Sequence, residues 1–165
     1  MKAVLIGAAA LMVAAGAHAA TFRAGVLEVS QAWSRPAVAG VNGVGYLTVA
    51  NRGPAADTLV AVESPLAARI EMHRSSMVGG VMSMTSVTRV GVPAQGQAVF
   101  GPGGYHLMLI GLKKALLAGD EVPATLTFAS GAHLKITLAV GTGSRPQGPA
   151  KQPVMGPMGG MDMSH

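Results

Sequence analysis

Two histidines and a group of methionines stand at spacings that could hold a soft metal ion. His106 and Met108 are two residues apart in the apolar run Tyr105-His106-Leu107-Met108-Leu109-Ile110. Residues at i and i+2 of a strand project from one face, so these two side chains share a face. Met82 and Met84 share a face of an earlier segment by the same rule. His73 is expected to end the strand before that one, just ahead of a turn over residues 77–80. If those two strands form a hairpin, His73 and Met84 come close across it. A third strand lying nearby then lets His73, Met84, His106 and Met108 converge. Two imidazoles and two thioethers make a soft, neutral ligand set. Thioether sulfur is a poor ligand for Mg²⁺, Ca²⁺ or Zn²⁺ and a good one for Cu(I), while imidazole accepts copper in either oxidation state. With neither thiolate nor carboxylate in the set, bound Cu(I) keeps its full charge and stays open to exchange with a stronger site. Those are the needs of a carrier rather than of an electron-transfer centre.

The bland reading of each residue is different. A strand methionine is usually core filler and a lone strand histidine usually lies on the surface. The four together, near turns in a chain with 11 Met and no Cys, favour the metal reading. His133 has no such company and is expected on the surface of a strand.

The elements that must position these residues are short strands. Segments 26–33, 45–50, 58–63, 69–74, 81–90, 105–110, 123–128 and 133–140 are β-branched or alternating. Asn51-Arg52-Gly53-Pro54, Val78-Gly79-Gly80, Gly101-Pro102-Gly103-Gly104, Gly119-Asp120 and Ser130-Gly131 punctuate them as turns. No 3.6-residue period competes, so the spacing predicts an all-β domain, an antiparallel sandwich or barrel, over residues 21–140. Trp33 and Tyr46 are expected to be core aromatics on facing strands.

Composition sets the outer bounds. The chain has 165 residues, 50% hydrophobic and 12% charged, with 23 Gly. Half the residues could contribute to a core, which argues against disorder throughout. The absence of Cys excludes disulfide frameworks, iron–sulfur clusters, thiolate zinc sites and Cys-ligated blue copper. A basic Met1-Lys2, an apolar stretch over 3–15 and the small-x-small Ala17-His18-Ala19 read as a secretory signal peptide over residues 1–20, cleaved near Ala19 or Ala20. The expected location is therefore the periplasm, without a membrane-embedded span. The formal net charge of +5 is scattered, not clustered, so no nucleic-acid partner is expected. Glu28, Asp57, Glu63, Glu71, Asp120 and Glu121 read as scattered and solvated. No nucleophile triad, paired carboxylates or phosphate loop stands out, so an enzyme is not expected.

Residues 141–165 change character to Gly, Pro, Ser, Gln, Lys and Met, and are expected to form a flexible tail. Met155, Met158, Met161, Met163 and His165 carry the Met-x-x-Met spacing of a soft-metal capture arm. A second copper ion there is one reading, and a compositionally biased tail without a ligand role is the other.

The motif residues resemble a known family. His73, ten residues, Met84, twenty-one residues, then His106-Leu107-Met108 is the pattern of the PCu(A)C-type periplasmic copper chaperones. Gly80-Val81-Met82-Ser83-Met84, Pro102-Gly103-Gly104-Tyr105, Gly111-Leu112-Lys113-Lys114, Ala32-Trp33-Ser34-Arg35-Pro36 and Gly45-Tyr46-Leu47 extend the likeness over roughly residues 25–140. Arg74-Ser75 departs from it, since many members carry Glu or Met there. The resemblance implies a cupredoxin-like Greek-key domain and one Cu(I) held by the four matched residues. It also implies delivery to the Cu(A) domain of cytochrome c oxidase or another copper acceptor, with the carrier expected as a monomer. Copper storage or resistance, and a structural β-sandwich that binds no metal, are the alternatives.

Overall fold

The computed structural model describes residues 20–141. The signal peptide expected at 1–20 and the tail expected at 141–165, with its candidate second copper site, otherwise lie outside the described residues. Within them the chain is all-β. Its strands are β1 (Phe22–Ala24), β2 (Leu27–Ser34), β3 (Gly43–Asn51), β4 (Asp57–Glu63), β5 (Ala67–Val78), β6 (Val81–Val87), β7 (Val90–Val92), β8 (Gln97–Phe100), β9 (Tyr105–Leu112), β10 (Glu121–Phe128) and β11 (His133–Val140).

The strands join in the order β6-β5-β9-β8-β3-β2-β11-β10-β4-β7, with β1 on β2 and a further pairing of β9 with β3. The sheet wraps on itself, bringing β4 against β5 and β7 against β8. This gives the cupredoxin-like sandwich its single interior. The sheet is mixed. Most junctions are antiparallel, but β11 runs parallel to β2 and β8 meets β9 in parallel at Phe100↔Tyr105. The parallel seam arises because the last strand returns beside one of the first. Segment 81–90 is two strands, β6 and β7, since the chain leaves the β5 edge at Thr88-Arg89 to pair with β4. The short strands β1 and β8 carry too few residues for alternation to reveal them.

Alternation explains the core. On β9, β10 and β11 the inward residues Leu107, Leu109, Val122, Leu126, Leu134, Ile136 and Leu138 are buried, with polar or half-exposed neighbours between them. Each fully buried Leu or Ile contributes about 1.5–3 kcal/mol relative to exposure. The β5–β6 hairpin closes through Gly79 and Gly80, both with positive φ, between the paired Val78 and Val81. Two such residues form the turn that matches strand twist, and non-glycine residues adopt it poorly.

Strand β2 contains a bulge. Ser30 pairs with Thr48 and Trp33 with Tyr46, so β2 spends one residue more than β3 over this interval. Gln31 takes the left-handed conformation there, with φ 53°. Leu27 and Val29 face the core, and unbroken alternation would send Trp33 the same way. The bulge turns it outward instead. Trp33 is half-buried and stacks on Tyr46 with ring centres 4.7 Å apart. Tyr46 is buried, but on the outer face of β3 beneath Trp33 and the Arg35 guanidinium, and it stands apart from the main core. The two aromatics do face each other across neighbouring strands, as expected, but outside the main core cluster.

Candidate metal centre

Three adjacent strands, β6, β5 and β9, present the sequence-predicted residues on one outer face. His73 and His106 are direct cross-strand partners, with ring centres 5.7 Å apart. Met108 lies two residues along β9 from His106, opposite Glu71. Met84 pairs with Ser75, so it is diagonal to His73, which itself faces Ser86. His73 does not end its strand: β5 runs five residues further, to Val78. The hairpin is thus longer than the sequence suggested, and Met84 sits toward its tip. His133 is exposed on β11, with Nδ1 3.2 Å from the Thr127 hydroxyl, and belongs to none of this.

Burial is graded across the face. His106 is 5% exposed and the His73 side chain 17%, Met108 is half-buried, and Met84 is 54% exposed at the edge strand. Behind the face, Met72 and Leu107 are buried in the core and fix the strands from below.

Two hydrogen bonds decide which ring nitrogens are available. His73 Nε2 lies 3.0 Å from Glu71 Oε2, and Arg69 holds the other Glu71 oxygen at 2.8 Å. The Arg69 guanidinium, and then the His73 ring, hold the Glu71 carboxyl below its ordinary range. An ionised carboxylate only accepts, so His73 Nε2–H donates and the proton is fixed there. His73 Nδ1 is then a bare lone pair, and it is buried without any hydrogen-bond partner. His106 Nδ1 lies 3.3 Å from the Gly104 carbonyl oxygen, which can only accept. Its proton is therefore on Nδ1, leaving the Nε2 lone pair free. Leaving a buried acceptor unpaired costs about 1–3 kcal/mol. A metal ion removes that cost, and the second-shell carboxylate and carbonyl are partners that metal-bound imidazoles ordinarily have. Among the described residues no three His, Asp or Glu side chains cluster as a hard-metal site would require. The other donors on this face are the thioethers of Met84 and Met108.

Glu71 was not singled out by sequence reasoning, which took it for a solvated carboxylate. Its position two residues before His73, hence on the same face, was the signal that could have found it. Tyr46 was placed in the core. It lies instead on the outer face of β3, the residue after Gly45, which pairs with Leu107.

Comparison with known proteins agrees with this picture. The "Copper-bound PCuAC domain from PmoF2" superposes with a TM-score of 0.62 at 21% identity, covering 73% of this chain and 97% of that one. The "Apo PCuAC domain from PmoF1" gives 0.63 at 25% identity, over 74% and 98%. The CuI-DR1885 solution structure from Deinococcus radiodurans gives 0.52 at 28% identity, over 76% and 82%. A curated relative from Leifsonia xyli subsp. xyli (strain CTCB07), "Putative lipoprotein Lxx21020", is 29% identical over 143 residues, 85% of this chain and 86% of its own length. The fold is that of a PCuAC-type domain. Residues 27–140 match the family described as "Putative lipoprotein LpqE-like", and the chain belongs to that LpqE-like family.

Proposed function

We propose that this protein is an exported Cu(I) carrier of the copper-chaperone kind. One ion is held by His73 through Nδ1, His106 through Nε2, and the thioethers of Met84 and Met108. The observation that carries the reading is the buried, unpartnered Nδ1 of His73, a residue paired with His106 across the two strands. Ring centres 5.7 Å apart let both imidazoles reach one ion through bonds of about 2 Å. Thioether recruitment selects Cu(I) over hard divalent ions. The copper-bound PmoF2 domain and CuI-DR1885 support the choice of metal. The relative and the family, both described as lipoproteins, support export, and the leader-like residues 1–20 support a periplasmic location. Among the described residues no helix is long and apolar enough to cross a membrane.

Neutral ligands hold Cu(I) without cancelling its charge. A Cu(A) domain offers thiolates to the same ion, so copper passes down that gradient from this protein to the oxidase domain. The chain's part is binding and release, with no covalent step. The test is titration of the full chain with Cu(I) against a competing chelator, with X-ray absorption of the loaded form. One ion in a mixed sulfur and nitrogen shell is expected, and a shell of oxygen and nitrogen alone rejects the site. Mixing the loaded protein with a reduced, apo Cu(A) domain then tests delivery. Copper remaining on the donor favours storage or resistance.

A further inference from the structure

The β5–β6 hairpin carries three methionines on the metal-facing side, of which the four-ligand set uses one. Met77 and Met82 are direct cross-strand partners, and Met84 is two residues from Met82 on the same strand face. All three are among the most exposed large apolar side chains of the described residues, at 66%, 61% and 54%. Packing therefore does not account for them. Val78 and Val81 at the tip belong to the opposite face by alternation, so the thioethers form a single row leading from the turn to the histidine pair. Consecutive residues of that row on β6 are about 7 Å apart along the strand. Ser75, opposite Met84, is small and leaves the Met84 side chain room to swing. With three rotatable bonds, a Met side chain can present its sulfur to either side.

We infer that Met77, Met82 and Met84 form a second, all-thioether Cu(I) site at the hairpin tip, with Met84 shared between it and the histidine site. Three neutral thioethers bind a soft monovalent ion and reject hard ones. The tip site is the weaker, because it lacks imidazole, and the more accessible. It therefore receives copper first and passes it inward when Met84 swings. No bond other than metal–ligand bonds changes, and Cu(I) keeps its oxidation state. The inference rests on the proposed copper-carrier reading only through Met84, the one residue common to both sets.

The test uses Ag(I), a soft monovalent ion that does not change oxidation state in air, titrated into the full-length protein carrying ¹³C-methyl methionine. Methyl and imidazole signals are followed together, with M77L and M82L assigning the tip resonances. The expected result is two events. At equilibrium the first fills the tighter site and moves Met84, Met108 and both histidine rings, and the second fills the weaker tip and moves Met77 and Met82 with a further shift of the shared Met84. The M77L/M82L double variant should weaken the second event at least tenfold and leave the first within twofold. Leu at these exposed positions leaves the core untouched, so loss of fold does not confound it. Silence of Met77 and Met82 while Met84, Met108 and the rings respond overturns the tip site and spares the four-ligand reading. Response of Met77, Met82 and Met84 with silent rings and a silent Met108 supports the tip site and overturns the four-ligand reading. Silence of all four methionines and of both rings overturns both.

Discussion

Glu71 and His73, two residues apart on β5, are joined by a 3.0 Å hydrogen bond that fixes the proton of the ring on Nε2 and strips its buried Nδ1 of any partner. The carboxylate bonds the Nε2 side of the ring, not the Nδ1 proposed to bind the metal. It acts by holding the imidazole in one tautomer and one orientation before metal arrives.

Removing that hold should weaken copper binding without removing a ligand. Glu71→Ala is expected to lower Cu(I) affinity about tenfold, the lower end of what outer-shell partners contribute. Glu71→Gln, which still offers a carbonyl acceptor, should recover part of the loss. Chelator competition measures the affinities. Nitrogen NMR of the metal-free protein should show His73 protonated at Nε2 and His106 at Nδ1, with the His73 preference lost in Glu71→Ala.

The thioethers separate binding from folding. Met84→Leu and Met108→Leu preserve volume, so each should cost less than about 1.5 kcal/mol of stability. Met84 is exposed, and its variant should melt like the parent. Both should bind Cu(I) more weakly by competition titration. A variant with parental affinity would show that its methionine is not a ligand.

Leu107 lies between His106 and Met108 and is fully buried on the opposite face of β9. Leu107→Ala should destabilise the domain by about 2–5 kcal/mol. Urea denaturation should show a lower midpoint with an unchanged slope. Affinity measured well below that midpoint should fall as well, because the same strand carries two of the proposed ligands.

Asp57 ties the β10–β11 turn to β4. Burial works to raise its pKa, but hydrogen bonds from the Ser130 hydroxyl and from the Thr58 and Ser130 N–H groups outweigh it and hold the carboxyl below its ordinary 3.8. A depressed folded-state value means the stabilisation is present above pH 3.8 and is lost as pH falls through the lower folded value. Asp57→Asn should therefore cost about 1 kcal/mol near neutrality, the net worth of an ordinary hydrogen bond, and less in strong acid. Denaturation at pH 6 and below pH 3 checks this. An equal cost at both would mean the carboxylate's charge is irrelevant.

The legible part of this molecule was whatever period two could carry. His106 and Met108 share a face because they are two apart, and the His73–His106 pairing needed only that β5 and β9 be neighbours. The Gly79-Gly80 turn announced its hairpin from the sequence alone. The register of that hairpin was not announced, since nothing local says that Met84 meets Ser75 rather than His73. The Trp33 side was misread because one extra residue at Gln31 is invisible to alternation. Glu71 was missed because the i, i+2 rule that puts it on the face of His73 was applied only to histidine and methionine.

The extra residue at Gln31 gives β2 two parities. Before it the odd-numbered residues Leu27 and Val29 face inward, and after it the even-numbered Ser34 does, fully buried with its hydroxyl donating to the Val44 carbonyl. The same final residues carry the parallel seam to β11, through Ala139↔Trp33 and Val140↔Ser34. Losing Gln31 would remove the bulge and leave β2 and β3 equal in length over this interval, so plain alternation would still turn Trp33 outward and Ser34 inward. Losing a second residue would exchange inside for outside over the whole end of the strand. Trp33 would then enter the core, Ser34 would leave it, and the seam would present the wrong side of its partner. Relatives that differ in length at this point are therefore expected to lack the one extra residue and the bulge together, with the faces unchanged.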